Sequence, residues 1–186
     1  KNFEEMLYFW DKLYGIKHIV LRYFNAAGAS QGGDLGEGKS ASSKLIPSLM
    51  RVYLRKQKTL TIYGKKYPTK DGTAARDYVH VEDLAVAHAL ALQYLLKINK
   101  SDSFNVGSGK THTNLEVVKK LEVITKATIP IRYGKPRLGE VGVLATNIQK
   151  AQHVLGWEPK HSDLRTILET ATTWYAKGSF VPRCLG

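Results

Sequence analysis

The residues best suited to chemistry lie in one polar stretch, from Thr59 to Asp83. It begins as a strand and ends at the start of a helix, and its glycine, proline and Asp-Gly turn formers predict a surface connection in between. Arg76 lies in that connection. The planar, fixed donors of a guanidinium group suit a phosphate or diphosphate better than a lysine does. An anionic ligand is the first functional hypothesis, and a surface charge or an anchor for Asp77 is the alternative.

Helices and strands alternate along the chain, which is typical of an α/β protein without an internal linker. Helical spacing of apolar residues predicts a helix over 3–14, and the apolar run at 17–24 predicts a strand buried on both faces of a parallel sheet. A glycine-rich loop to about Ser43 follows. Further helices are predicted at 43–56 and 84–97 and after caps at Thr113, Asn147 and Ser162, and further strands at 59–63, 104–107 and 129–133.

Composition argues against several classes of protein. At 186 residues the chain has room for one domain with a core, and it has no run near the ~20 apolar residues that a membrane span requires. Its net charge of +12 raises the question of nucleic acid, but the basic residues are scattered, so we expect no nucleic-acid partner and no membrane partner. The single cysteine, Cys184, cannot form an internal disulfide and fits a reducing, cytoplasmic location.

The sequence does not contain the common catalytic and cofactor-binding motifs in complete form. Gly107-Ser-Gly-Lys-Thr111 resembles the end of a phosphate-binding P-loop, but Phe104 occupies the place of its leading glycine. No G-x-G-x-x-G follows a strand. The six histidines show no metal-ligand spacing, and His88 is expected to be a satisfied core residue of an apolar helix. Neither a metal site nor a complete catalytic set is predicted.

A series of short motifs runs in order along the chain. The most specific is Tyr67-x-Thr-x-Asp-Gly-Thr-x-x-Arg-Asp-Tyr-x-His80-Val-x-Asp83. It is accompanied by Leu21-Arg-Tyr-Phe-Asn25-Ala-Ala-Gly28, Gly36-Glu37, Leu45-Ile-Pro47, Phe104-Asn-Val-Gly-Ser-Gly109, Pro136-Arg-x-Gly-Glu-Val141 and Leu155-Gly-Trp157. Together these resemble the UDP-glucose 4-epimerase family of the extended short-chain dehydrogenases. The resemblance implies that residues 1–186 form the C-terminal part of a Rossmann-like doubly wound parallel sheet plus the smaller mixed α/β substrate-binding domain.

The resemblance also implies a role for individual positions. Tyr23 and Phe24 would lie beside the cofactor NAD, although a structural Phe24 would look the same in sequence. The UDP-sugar would be bound by Asn25, Lys44, Leu45, Thr61, Ile62, Tyr63, Arg76, Arg137 and Glu140. In that set the two arginines would clamp the diphosphate, the strand at 61–63 would receive uracil, and Glu140 would meet ribose hydroxyls.

Three positions leave alternatives open. Asn25 could instead cap the backbone. Lys44 departs from the asparagine or histidine common in the family, yet it keeps a donor and adds charge. Leu144 stands where some members have a tyrosine of the sugar pocket, so the choice of sugar stays open.

The family's catalytic Tyr-x-x-x-Lys pair is expected upstream, in an absent NAD-binding half. Counting back from Arg22 to Glu4 places Lys1 one residue beyond the catalytic lysine, so no catalytic residue is expected in this chain. The parent is expected to be a homodimeric UDP-glucose 4-epimerase of galactose metabolism. An epimerase for UDP-N-acetylgalactosamine, UDP-xylose or UDP-arabinose and a non-catalytic nucleotide-sugar binding protein are the alternatives.

Overall fold

The computed structural model describes residues 2–38 and 43–177, so Lys1 and Cys184, on which predictions were made, lie outside the described residues. The helices are α1 (Asn2–Tyr14), α2 (Leu45–Tyr53), α3 (Val81–Ile98), α4 (Asn114–Thr125), α5 (Gln149–Leu155) and α6 (Leu164–Ala176). The strands are β1 (Ile19–Tyr23), β2 (Asn25–Ala27), β3 (Leu60–Tyr63), β4 (Ala75–His80), β5 (Asp102–Val106), β6 (Thr111–Thr113), β7 (Ile131–Gly134) and β8 (Val143–Leu144). The α/β class is confirmed.

The described strands form three small sheets, mostly with parallel pairing. β1 pairs with β5 and β3 with β7, both in parallel. β4 lies in the third sheet, where it pairs in parallel with β2 and β8 and antiparallel with β6. Phe24 separates β1 from β2, so one continuous run of chain passes from the first sheet into the third. Helical crossovers between these strands explain the parallel pairing.

Two hydrophobic cores lie on opposite sides of β4. Tyr78 belongs to the first core and the next residue, Val79, belongs to the second. Successive side chains of a strand point to opposite faces, so β4 divides the two cores. The first core collects buried residues of α2, α4, α6 and β3, and the second is built from α3, β5 and α5 around Phe104 and Trp157.

Strand β4 corrects the extent of the predicted polar connection, which is present at 64–74 but does not include Arg76. Residues 75–80 form a strand, and all of them except Arg76 are buried. The charged Asp77 is fully buried because its carboxylate accepts hydrogen bonds from Ser108 N (2.7 Å) and Gly109 N (3.0 Å). A polar sequence can therefore lie in the interior where backbone donors satisfy it.

Strand β1 is less buried than the sequence predicted. It was expected to be covered on both faces, but its side chains are half-buried at first and exposed at Arg22 and Tyr23. Within the described ranges β1 pairs with β5 alone. Helix α1 has no buried residue, and Phe3 and Leu13 are 64% and 71% exposed. The α1 and β1 region thus presents an apolar surface that the described residues do not cover.

Several helix ends confirm or correct the predicted caps. Thr113 caps α4 in a capping box with Glu116, as predicted. The cap of α6 is Asp163 and not Ser162, whose hydroxyl donates to Asp83 Oδ2 at 2.5 Å. The N-cap position of α5 is Ile148, although the side chain of Asn147 still accepts a bond from Gln149 N at 3.0 Å.

Helix α3 was expected to lie against a sheet, and it packs against β1 and β4 through one face only. The prediction of a core histidine at position 88 is wrong, because His88 is exposed and its Nδ1 lies 2.8 Å from the carbonyl oxygen of Leu84. In residues 2–38 and 43–177, no helix has the length and apolar character needed to cross a membrane.

Candidate functional site

A cavity of about 470 Å³ lies between α2, β3, β4 and the loop that follows β7. Its lining includes every residue that was predicted to bind a substrate: Asn25, Lys44, Leu45, Thr61, Ile62, Tyr63, Arg76, Arg137 and Glu140. They come from five separate parts of the chain, so the fold brings them together. Their individual roles stay predictions.

Positive charge dominates the cavity wall. Among the described residues, five cationic side chains contribute to the lining, against two carboxylates: Lys44, Arg51, Arg76, Arg132 and Arg137, with Glu37 and Glu140. Four of the five cations are arginines, whose planar donors suit the paired oxygens of phosphate groups. The arrangement is chemically suited to an anionic ligand.

Arg76 is fixed on β4 by several contacts. Its side chain is only 16% exposed, and Nη2 donates to Glu140 Oε1 at 3.1 Å. Nη1 donates to the carbonyl oxygen of Ala75 at 2.9 Å. On the other side of the carboxylate, the Tyr67 hydroxyl donates to Glu140 Oε2 at 3.2 Å. Burial and the Glu140 charge raise the pKa of Tyr67 above its ordinary value.

The most specific sequence motif builds the loop that leads into β4. The Asp71 carboxylate accepts bonds from the Thr73 amide (2.9 Å) and hydroxyl (2.6 Å) and from the Thr113 hydroxyl. Gly72 has a φ of +77°, and a Cβ there would lie 2.4 Å from the carbonyl oxygen of Lys65. These loop residues do not line the cavity, so they act by positioning the strand that carries Arg76.

Another part of the cavity lining pairs a cation with an aromatic ring. The guanidinium carbon of Arg137 lies 4.2 Å from the centroid of the Tyr63 ring, and Nη2 donates to the carbonyl oxygen of Ser43 at 3.2 Å. The Tyr63 ring packs beside Gly134, where a Cβ would come within 3.0 Å of it. Cation–π stacking holds this arginine at the cavity although its side chain is exposed.

Within the described parts of the chain, two buried polar atoms at the cavity have no hydrogen-bond partner. They are Asn25 Oδ1 and the Tyr175 hydroxyl. The alternative that Asn25 Oδ1 caps the backbone is not supported, since no backbone donor in the described chain reaches it. A buried acceptor left unpaired costs ~1 to 3 kcal/mol, which a ligand donor would recover.

Sequence reasoning missed several residues of the lining: Arg51, Gln57, Tyr78, Asn114, Arg132 and Tyr175. One of them, Tyr78, carried a usable signal. Tyr78 follows Arg76 by two positions and so shares its face of β4, but only if that strand is recognised. Burial raises the pKa of Tyr78 to about 12, which keeps its hydroxyl a proton donor. Arg132 pairs with Thr61 in the β3–β7 register and donates to its hydroxyl at 2.8 Å.

Lys44 and Leu45 lie at the start of α2. The Lys44 ammonium group is 2.7 Å from Glu37 Oε1, and its side chain is 67% exposed. The predicted donor at this position is therefore present at the cavity, where it shares an ion pair with the glycine-rich loop. Pro47 falls in the first turn of α2, as predicted, where its missing N–H costs nothing.

Tyr23 and Phe24, predicted to lie beside a cofactor, do not line the cavity. Tyr23 ends β1 with its side chain 52% exposed, and its ring centroid is 6.1 Å from that of His88. Phe24 is half-buried, and its amide donates to the carbonyl oxygen of Val106 at 3.2 Å. Among the residues with described positions, no cluster of three or more His, Cys, Asp or Glu side chains could hold a metal ion.

Comparison with known proteins gives one consistent result. Residues 2–107 match the model of the NAD dependent epimerase/dehydratase family. A protein named UDP-glucose 4-epimerase from Lacticaseibacillus casei is 43% identical over 172 residues, which cover 92% of this chain and 52% of the relative. This chain spans about half the length of the curated relatives it matches.

Solved structures agree with that match. The UDP-glucose 4-epimerase of Stenotrophomonas maltophila, with bound NAD and formylated UDP-arabinopyranose, has a TM-score of 0.89 at 33% identity, covering 94% of this chain and 52% of that one. The enzyme of Bifidobacterium longum, in complex with NAD+ and UDP, has a TM-score of 0.87 at 31% identity, covering 96% and 53%. The family match takes in more than half of the sequence. The chain therefore belongs to the NAD dependent epimerase/dehydratase family.

Proposed function

We propose that this chain is the UDP-sugar-binding half of an NAD-dependent UDP-glucose 4-epimerase. The observation that carries the proposal is the convergence of the nine predicted substrate residues on one cavity with an excess of cationic side chains. Its volume of about 470 Å³ lies within the usual range for small-molecule sites. The chain spans about half of its relatives, which supports a second half that carries the dinucleotide site and the catalytic Tyr-x-x-x-Lys pair.

The cavity residues would divide the nucleotide-sugar between them. Arg76 and Arg137 would bind the diphosphate, since each presents a fork of donors that is already held in place. The backbone of β3 and the Tyr63 ring would receive the uracil. Glu140 would accept bonds from the ribose, and the unpaired Asn25 Oδ1 would accept one from a substrate hydroxyl. Fixing the substrate at several points orients the sugar for reaction.

In this proposal NAD contacts one edge of this chain and is held by the other half of the protein. The exposed Tyr23 ring at the carboxyl end of β1 offers a flat surface for it, and open α/β sheets bind ligands at that edge. The sequence has no glycine fingerprint to hold the pyrophosphate, so the other half must supply that site. When bound, NAD would accept a hydride from sugar C4 and return it to the opposite face. The residues described here would bind and orient the substrate.

The proposal also covers the substrates, the cellular location and the oligomeric state of the parent protein. UDP-glucose and UDP-galactose are the proposed pair, in galactose metabolism, in the cytoplasm and in a homodimer. Another UDP-sugar is the second candidate, because Leu144 stands on β8 outside the cavity lining and supplies no tyrosine to the sugar pocket. The related Stenotrophomonas maltophila structure holds formylated UDP-arabinopyranose.

The test uses the full-length protein with NAD and each of four UDP-sugars: UDP-galactose, UDP-N-acetylgalactosamine, UDP-xylose and UDP-arabinose. Conversion of UDP-galactose to UDP-glucose at the highest kcat/KM is the expected result. Faster turnover of one of the others would favour the second candidate. Tight UDP binding without turnover of any of them would identify a non-catalytic nucleotide-sugar binding protein.

A further inference from the structure

Tyr67 stands behind the cavity wall and not in it. Its hydroxyl donates to Glu140 Oε2 at 3.2 Å, while the second oxygen of the same carboxylate accepts from Arg76 Nη2 at 3.1 Å. Arg76 and Glu140 line the cavity, whereas Tyr67 does not. One carboxylate therefore links a ligand-facing arginine to a phenol outside the site.

The phenol ring lies in a slot that two glycines leave open. A Cβ at Gly64 would lie 2.4 Å from the Tyr67 ring, and one at Gly142 would lie 3.0 Å from it. Gly64 also has a φ of +77°, a conformation that side chains rarely adopt. The backbone of Tyr67 is held as well, since its amide donates to the carbonyl oxygen of Gly72 at 3.0 Å. The hydroxyl is thus a fixed donor.

Glu140 lies in a segment that has little packing of its own. It follows Gly139, whose φ is +75°, and its neighbours Leu138 and Val141 are fully and 59% exposed. Its amide closes a turn to the carbonyl oxygen of Arg137 at 3.2 Å. A carboxylate on such a loop needs an outside anchor to keep one orientation, and Tyr67 supplies a hydrogen bond to a charged acceptor.

We propose that Tyr67 is a positioning residue of the nucleotide-sugar site: it holds Glu140 so that this carboxylate keeps Arg76 directed into the cavity. The inference rests on the proposed function, because it assigns Tyr67 to the binding of the UDP moiety. Preorganising a donor lowers the entropic cost of binding, so the phenol contributes to affinity without contacting the ligand.

The test is a double-mutant cycle on the full-length protein, with UDP as the ligand and calorimetry as the measurement. Tyr67→Phe keeps the ring in its slot and removes only the hydroxyl, and the expected loss of UDP affinity is about 5-fold, within the range for the net contribution of one hydrogen bond. In a Glu140→Ala background the same change should cost less than about 2-fold, because the group through which Tyr67 acts is gone. Tyr133→Phe, at an exposed tyrosine on β7, is the matched control and should change nothing.

Three outcomes would count against these proposals. Equal UDP affinity in wild type and Tyr67→Phe would overturn the positioning role. An equal loss in both backgrounds, together with a lower melting temperature, would make Tyr67 a packing residue only and would also overturn it. A wild-type protein that does not bind UDP would overturn the proposed function itself.

Discussion

The two hydrophobic cores on either side of β4 differ in how completely the chain covers them. The first core is enclosed by α2, α4, α6 and β3, with Leu49, Leu121 and Leu168 fully buried. The second core contains fully buried residues of α3 and α5. Ile19 and Leu21 of β1 pack against it but are only partly buried. Beyond β1 lies α1, none of whose residues is buried.

Similar apolar patterns thus lead to different burial in the two regions. Helix α1 carries an apolar face like that of α2, yet five residues of α2 are buried and none of α1. Apolar surface of this extent is normally covered by another domain or subunit. The cavity borders the first core, which the described helices enclose, whereas the described residues leave the second core partly uncovered at β1.

The largest expected effect follows from that incomplete core. This chain expressed alone should show no epimerase activity and should aggregate, because the open edge of β1 and the apolar face of α1 are exposed to water. Turnover of UDP-galactose and size-exclusion chromatography are the measurements. A monomeric, cooperatively melting chain that turns over UDP-galactose would contradict the comparison of the two regions.

The next prediction compares Arg76 on β4 with Arg22 on β1 in the full-length protein. Arg76→Ala should weaken UDP binding by ~2 to 4 kcal/mol, the cost of removing a charged partner from a largely buried anion site. Arg137→Ala should have a smaller effect, because that side chain is exposed. Arg22→Ala is the control, since Arg22 lies on β1 and pairs with Glu4 (Nε to Oε1, 2.7 Å), away from the cavity.

Calorimetry with UDP alone reports the loss without any contribution from catalysis. Unchanged UDP affinity in Arg76→Ala would show that this arginine serves the fold only. A loss in Arg22→Ala as large as that in Arg76→Ala would remove the distinction between the two regions.

The residues that the sequence predicted to bind substrate share one cavity, but some of the elements that carry them were not predicted. Arg76 was predicted to bind the substrate, a role that stays a prediction, and it lies in the cavity wall. Its strand was read as a surface connection because polar residues fill β4. The burial of Asp77 depends on amides of Ser108 and Gly109, more than 30 positions away, and no local pattern reports such contacts. The short strands β6 and β8 were missed for the same reason, since each exists only by pairing with β4.

Helix positions were predictable because periodicity and caps are local features. The ends were less so: Ser162 looks like a cap, but its hydroxyl bonds Asp83 across the fold, and Asp163 takes the cap position. Tyr175 could not be predicted as a cavity residue, since its helix packs there only in the folded chain.

A smaller effect concerns His80, which contacts both α3 and α6. Its Nδ1 accepts from Glu82 N at 3.2 Å, and Nε2 lies 3.1 Å from the Thr170 hydroxyl. Burial lowers the pKa of His80 below its ordinary value. The charge of His161 acts in the same direction, and the charges of Glu82, Asp83 and Asp163 oppose it. The unfolded chain therefore takes up a proton at a higher pH than the folded one. The stability contributed by neutral His80 is present above a pH of about 6.5 and is lost as the pH falls below it.

The substitution His80→Asn should flatten this part of the pH dependence of the unfolding free energy. It should also cost ~1 to 3 kcal/mol at neutral pH, for the lost packing and hydrogen bond. Denaturant melts between pH 5 and 8 measure both, with His153→Asn, at an exposed histidine of α5, as the matched control. Burial also lowers the pKa of His112, so this residue should account for part of the pH dependence that remains in His80→Asn. If the unfolding free energy depends equally on pH in wild type and in His80→Asn, then His80 does not contribute to the pH dependence of stability.

The smallest effect concerns Lys44, the departure from the family pattern at the cavity. Its ammonium group is paired with Glu37 at 2.7 Å, and its side chain is 67% exposed, so solvent screens its charge strongly. If Lys44 contacts the diphosphate, Lys44→Asn should keep the fold and the activity, because asparagine also donates there. UDP-sugar binding should then depend less steeply on salt, since one screened charge has disappeared. Titrations of wild type and variant at low and high salt decide the question, with Lys65→Asn as a control for a lysine outside the cavity lining. Parallel salt slopes would remove Lys44 from the site and leave the binding of the diphosphate to the arginines.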